Sequence, residues 1–185
     1  MQWAKIGVLS LGLGTSAHAI DVEIGADADV ALAFGQSLKG PGGGADVRLG
    51  IGPDPLKLGP TALALSAEVR GAYWEFPMED ATLLRTTVGA RGILRLMWLR
   101  LPGGDGGRGR GIRFDMPLAV HAGLASLDNF QTYRPTVDAQ VGVAIGFLPV
   151  EVGLHIGGGV MSADQELEPT GAGWVQAGVD VGVIF

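Results

Sequence analysis

Read back from Phe185 in steps of two, the chain gives Val183, Val181, Val179 and Ala177; the positions between carry Ile184, Gly182, Asp180, Gly178 and Gln176. A period of two marks a β-strand with two unlike faces. The same beat runs through the chain. Ile20 to Gly35 sets Ile20, Val22, Ile24, Val30, Leu32 and Phe34 against Asp21, Glu23, Asp27 and Asp29. Further strands are predicted at 45–52, 61–73, 83–99, 111–126, 137–147, 150–161 and 174–185, giving eight in all. The stretches between them are punctuated by glycine and proline, as at Gly40-Pro41-Gly42-Gly43-Gly44 and from Pro53 to Pro60. Pro117 falls inside a predicted strand, where its missing N–H calls for a local bulge.

The charges sharpen the pattern. Sixteen Asp, Glu and Arg residues lie inside the eight strands, and all take the less apolar parity: Asp21, Glu23, Asp27, Asp29, Asp46, Arg48, Glu68, Arg70, Arg85, Arg91, Arg95, Arg113, Asp115, Asp138, Glu151 and Asp180. Alternation alone does not say which face points inward, because a soluble barrel of lipocalin type is apolar inside. Two features favour charges inside. Between its charges the polar face is mostly glycine and alanine, which suits the narrow interior of eight strands. The aromatics of the apolar face also gather at strand ends. Phe34 and Tyr73 fall at one rim, and Trp98, Phe114, Phe147 and Phe185 at the other. Such a girdle belongs at the two interfaces of a membrane.

Composition agrees with an exported membrane protein. The 185 residues include no cysteine, which removes disulfides and thiolate metal sites, and only three lysines, Lys5, Lys39 and Lys57. Residues 1–19 read as a secretory signal peptide, with Lys5, an apolar run from Ile6 to Gly14, and Ala17-His18-Ala19 as the cleavage pattern. Residues 20–185 form the barrel domain. Loss of Lys5 leaves 12 basic against 19 acidic residues, a net charge of −7, which speaks against nucleic acid as a partner.

An eight-strand chain closing on a C-terminal phenylalanine resembles the small bacterial outer-membrane β-barrels of the OmpA-barrel and OmpX type. The resemblance covers residues 20–185 and is one of pattern and length. It implies an all-β, eight-stranded antiparallel up-and-down transmembrane barrel in the outer membrane, a monomer surrounded by lipid. It further implies recognition of the closing strand, ending in Phe185, by the barrel-assembly machinery. Outer loops are expected at 36–44, 74–82, 127–136 and 162–173, and a longer periplasmic turn at 100–110.

Charges confined in a lumen must pair or keep water. Two functions stay open: a salt-bridged plug in a structural or surface-binding barrel, or a narrow ion-conducting pore with charged walls. A lipid-modifying enzyme is the weaker third reading. The outer loops hold no histidine, and His121 and His155 sit on the lumen parity, where a Ser66–His121 pair reads as an interior contact. No cofactor or metal is expected, the acidic run Asp164, Glu166 and Glu168 reading as a solvated face. Trp74, Phe130 and Tyr133 are the candidate anchors for an extracellular ligand.

Overall fold

Alternating side chains commit each segment to a pleated strand, and the short connections commit neighbours to antiparallel pairing. The computed structural model describes residues 20–36, 38–58, 61–100, 111–127, 133–147, 149–163 and 171–185, of which 97–100 and 111 by their backbone alone. Its strands are β1 (Ile20–Phe34), β2 (Gly40–Pro53), β3 (Leu56–Leu58), β4 (Thr61–Phe76), β5 (Ala81–Arg100), β6 (Gly111–Leu127), β7 (Tyr133–Phe147), β8 (Val150–Met161) and β9 (Ala172–Ile184). Each long strand pairs with its sequence neighbour, β1 closes on β9, and β2 meets β4 directly. The result is a closed eight-strand barrel. The short β3 fills a notch: β2 reaches only Ala67 of β4, and Leu56–Leu58 take Thr61 to Leu63 beyond it.

Both chain ends of the barrel lie at one rim, called periplasmic below, where Val22 and Phe185 exchange backbone hydrogen bonds of 3.4 and 2.9 Å. From Val22 to Phe34 β1 climbs twelve residues. At about 3.3 Å per residue and a tilt near 40° the wall stands about 30 Å high, enough for an apolar band of about 25 Å. The faces are unequivocal. Val181 is 46 % exposed on the outside of the barrel and Asp180 only 3 % exposed within it.

Several expected boundaries move. Gly40 to Gly44 belong to β2, not to a loop, because the strand there passes close against inward-turned rings: a Cβ on Gly44 would lie 2.2 Å from both Trp74 Cδ1 and the Tyr73 carbonyl. β4 and β5 run on to Phe76 and from Ala81, leaving a four-residue turn that Glu79 N–H closes on the Phe76 carbonyl at 3.1 Å, with Asp80 at φ 51°. β7 starts at Tyr133 and β9 at Ala172, so the third and fourth outer connections are also shorter than expected. No bulge forms at Pro117. The β6–β7 ladder skips Met116 and Pro117 without changing register, and the bulge lies on β5, between Arg95 and Met97. The turn at 101–110 lies outside the described residues, as do residues 1–19.

Toward the outer rim the lumen is closed by an apolar layer. Trp74, Phe76, Leu38 and Leu83 are fully buried there, with Leu127, Met161 and Trp174 nearly so. Leu38 comes from the first outer connection and turns inward rather than into solvent.

Candidate functional site: the charged lumen

Register sets up the site. Asp27 stands directly opposite Asp46 on β2 and Asp180 on β9, and one rung away Arg48 stands opposite Arg70. Like charges side by side on neighbouring strands repel. The two rows sit close enough for each guanidinium to reach diagonally into the acidic row. Arg48 bonds Asp27, reaches Glu23 Oε1 at 3.0 Å and lies 3.3 Å from Asp180 Oδ2. Arg70 bonds Asp46 and lies 2.7 Å from Asp27 Oδ2.

The pairing continues in both directions. Toward the periplasmic rim, Arg91 joins Glu23 (2.8 Å) to Glu151 (3.0 Å), Arg113 joins Glu151 (2.6 Å) to Asp115 (2.8 Å), and Arg95 covers Asp115 (3.1 Å). Gly146 makes the Arg113 contact with β8 possible, since a Cβ there would fall 2.3 Å from Arg113 Nε. Toward the outer rim, Arg85 lies 3.4 Å from Asp46 and 3.3 Å from Asp138. Its Cζ sits 4.4 Å from the Trp74 ring and 4.9 Å from that of Trp174, a cation held by two aromatic faces. Trp74 Nε1 donates to Asp46 at 2.8 Å, and Trp174 Nε1 to Gln176 at 3.1 Å.

The histidines complete the mesh. His121 lies 2.9 Å from Glu68 and 3.1 Å from Asp138; His155 lies 2.7 Å from Asp29 and 3.7 Å from Asp180. Fifteen of the sixteen charged residues thus form one connected network with both histidines. Asp21, the remaining one, is half-buried near the periplasmic rim. At its centre, among Asp27, Arg48, Glu68, Arg70, Arg91 and His155, the free volume is ≈ 20 Å³. That is room for about one water molecule.

On the outer wall Phe34, Tyr73, Phe114, Phe147 and Phe185 are all exposed, at the strand ends. The Trp98 side chain lies outside the described residues, and only its backbone pairing with Arg113 is defined. Trp74 is no loop anchor: it points into the lumen and is fully buried. Ser66 and His121 make no hydrogen bond, since both ring nitrogens of His121 face carboxylates. Sequence reasoning missed Arg134, which it left in a loop. Arg134 is buried at the start of β7, its guanidinium without a hydrogen-bond partner among the described residues. It shares parity with Thr136 and Asp138, a signal that extending the strand back to Tyr133 would have caught.

An apolar wall turned outward around a charged, aromatic-capped interior is stable only with hydrocarbon against it. This is the fold of a small outer-membrane β-barrel. No protein-family description matches the chain, and no curated protein matches it in sequence. Solved structures do resemble the barrel. The outer-membrane enzyme PagL superposes with a TM-score of 0.50 at 12 % identity, over 86 % of this chain and 98 % of that one. Neisserial surface protein A gives a TM-score of 0.47 at 15 % identity, over 88 % and 96 %. Ail, the attachment invasion locus protein of Yersinia pestis, gives 0.44 at 11 %, over 90 % and 97 %. At such identities the PagL likeness speaks to fold alone.

Proposed function

We propose that this chain is a structural or surface-binding barrel of the outer membrane whose lumen is plugged. The observation carrying this reading is the continuous ionic network, with a central cavity of only ≈ 20 Å³ and an outer cap of Trp74, Phe76 and Trp174. A hydrated ion crossing the barrel would have to displace several buried ion pairs at once, and removing one partner of such a pair costs about 3–5 kcal/mol. Function then resides in the outer surface, where Tyr133 is exposed and the turn at 77–80 projects. Phe130 lies outside the described residues.

The two lumen histidines are engaged by carboxylates, His121 by Glu68 and Asp138 and His155 by Asp29. The barrel works as a monomer in lipid, with Phe34, Tyr73, Phe114, Phe147 and Phe185 as its interfacial girdle. Its closing strand, ending at Phe185, is the segment read by the assembly machinery. Single-channel recording of the purified protein in a planar bilayer tests the plug. Silence at moderate voltage is expected, and regular conductance steps would replace the plug with a narrow pore.

A further inference from the structure

The plugged-barrel reading gives the two lumen histidines no task of their own, and they differ in what lies beyond them. His121, on β6, directs Nε2 at Glu68 Oε2 of β4 (2.9 Å) and Nδ1 at Asp138 Oδ1 of β7 (3.1 Å). Its register partner on β5 is the uncharged Gly89. An imidazole donates at both nitrogens only while both carry protons, and loss of one turns a lone pair toward a carboxylate. Beyond Glu68 stand Arg91 at 3.6 Å and Arg48 at 3.9 Å. Beyond Asp138 stands Arg85, 3.3 Å from its other oxygen, with Asp46 on the far side. Arg85 is the guanidinium between Trp74 and Trp174, whose rings meet edge to face at 6.2 Å in the cap.

His155 reaches the cap only by a longer path, through Asp29, Arg70 and Asp46 to Trp74. It faces Asp29 on β1 and Asp180 on β9, beside Gly142 on β7. The onward partners of those acids are Arg70 (3.9 Å) and Arg48 (3.3 Å), which also hold Asp27, in the middle of the network.

We propose that His121 couples ambient pH to the outer mouth: gain or loss of its second ring proton is transmitted through Asp138 and Arg85 to the Trp74–Trp174 pair. With both protons in place Asp138 is shared between two cations. With one gone it is left to Arg85, and the guanidinium shifts against the rings that close the lumen. The cap also contains Leu38 from the first outer connection, so its packing bears on the surface that the barrel displays.

The test uses the full barrel refolded in lipid nanodiscs. The indole N–H resonances of Trp74 and Trp174, assigned through Trp→Phe variants, are followed by NMR from about pH 5 to about pH 10 beside the ring nitrogens of His121. Both indole signals should move, with the same midpoint as His121. His121→Gln should abolish the movement, while His155→Gln should leave it in place. Indole signals that stay fixed, that move with a different midpoint, or that still titrate in His121→Gln overturn the coupling. So does a His121 ring that does not titrate over this range. Should His121→Gln fail to fold, the comparison of midpoints in the unsubstituted protein decides alone.

Discussion

Replacing Glu151 with glutamine removes one negative charge from the tightest part of the plug. Glu151 is fully buried, with Oε1 3.0 Å from Arg91 and Oε2 2.6 Å from Arg113. An amide of the same shape keeps the packing but turns one oxygen acceptor into a donor facing a guanidinium. Breaking a buried pair from one side costs about 3–5 kcal/mol. Here each arginine keeps another carboxylate, Arg91 holding Glu23 at 2.8 Å and Arg113 holding Asp115 at 2.8 Å. The loss should therefore fall at the low end, about 3 kcal/mol. Reversible urea unfolding in lipid vesicles, followed by tryptophan fluorescence, measures it. Glu79→Gln, on the exposed outer turn, is the control and should change stability by no more than about 0.5 kcal/mol. A double-mutant cycle with Arg113→Gln should give a coupling above about 1 kcal/mol, since the two side chains touch. If Glu151→Gln costs as little as the surface control, the network is incidental to the fold and the argument for the plug fails.

Other perturbations separate wall, cap and terminus. Val120→Arg, Val143→Arg and Val181→Arg, each on the outward face, should each destabilise by about 2–4 kcal/mol in the same vesicle assay; free tolerance of all three would place that face in water. Trp74→Phe keeps a ring near Arg85 but loses the 2.8 Å hydrogen bond to Asp46, a cost of about 1.5–3 kcal/mol that an unchanged unfolding curve would refute. Deleting Phe185 removes the backbone pair with Val22 and the terminal aromatic, so the mature protein should be depleted from outer-membrane fractions, and undiminished levels would count against recognition of that strand.

Most of the wall was legible because a barrel strand writes its two environments directly into odd and even positions. Where residues meet lipid on one side and a tight lumen on the other, as from Ile20 to Phe34, the alternation barely falters and the boundaries hold to within a residue. Near the outer rim that contrast fades. Both faces of Gly40 to Gly44 are small, so the sequence offers no period there, and only the rings of Trp74 and Phe76 explain why a strand of glycines is wanted. Trp74 itself was ambiguous for a related reason, since an aromatic at a strand end suits either the interface or a lumen cap. Identifying the lumen charges needed only parity. Pairing them needed register: Asp180 lies against Arg48, where Arg91 was an equally reasonable partner on sequence grounds. The β5 bulge left no mark that sequence reasoning could use, because Leu94, Leu96 and Trp98 keep an apolar beat straight through it.

Val181 and Asp180, one residue apart, face opposite environments, lipid and the ionic lumen. The chain contains no cysteine, so single cysteines can be placed along β9 and spin-labelled without further changes. Oxygen, which concentrates in hydrocarbon, and a water-soluble nickel chelate then report what each label meets. Labels at positions 175, 177, 179 and 181 should show high collision rates with oxygen and low rates with the chelate. Labels at 176 and 180 should be shielded from both, giving a period of two along the strand. High oxygen accessibility at 176 and 180, with shielding at 175 to 181 on the other parity, would reverse the faces and contradict the account.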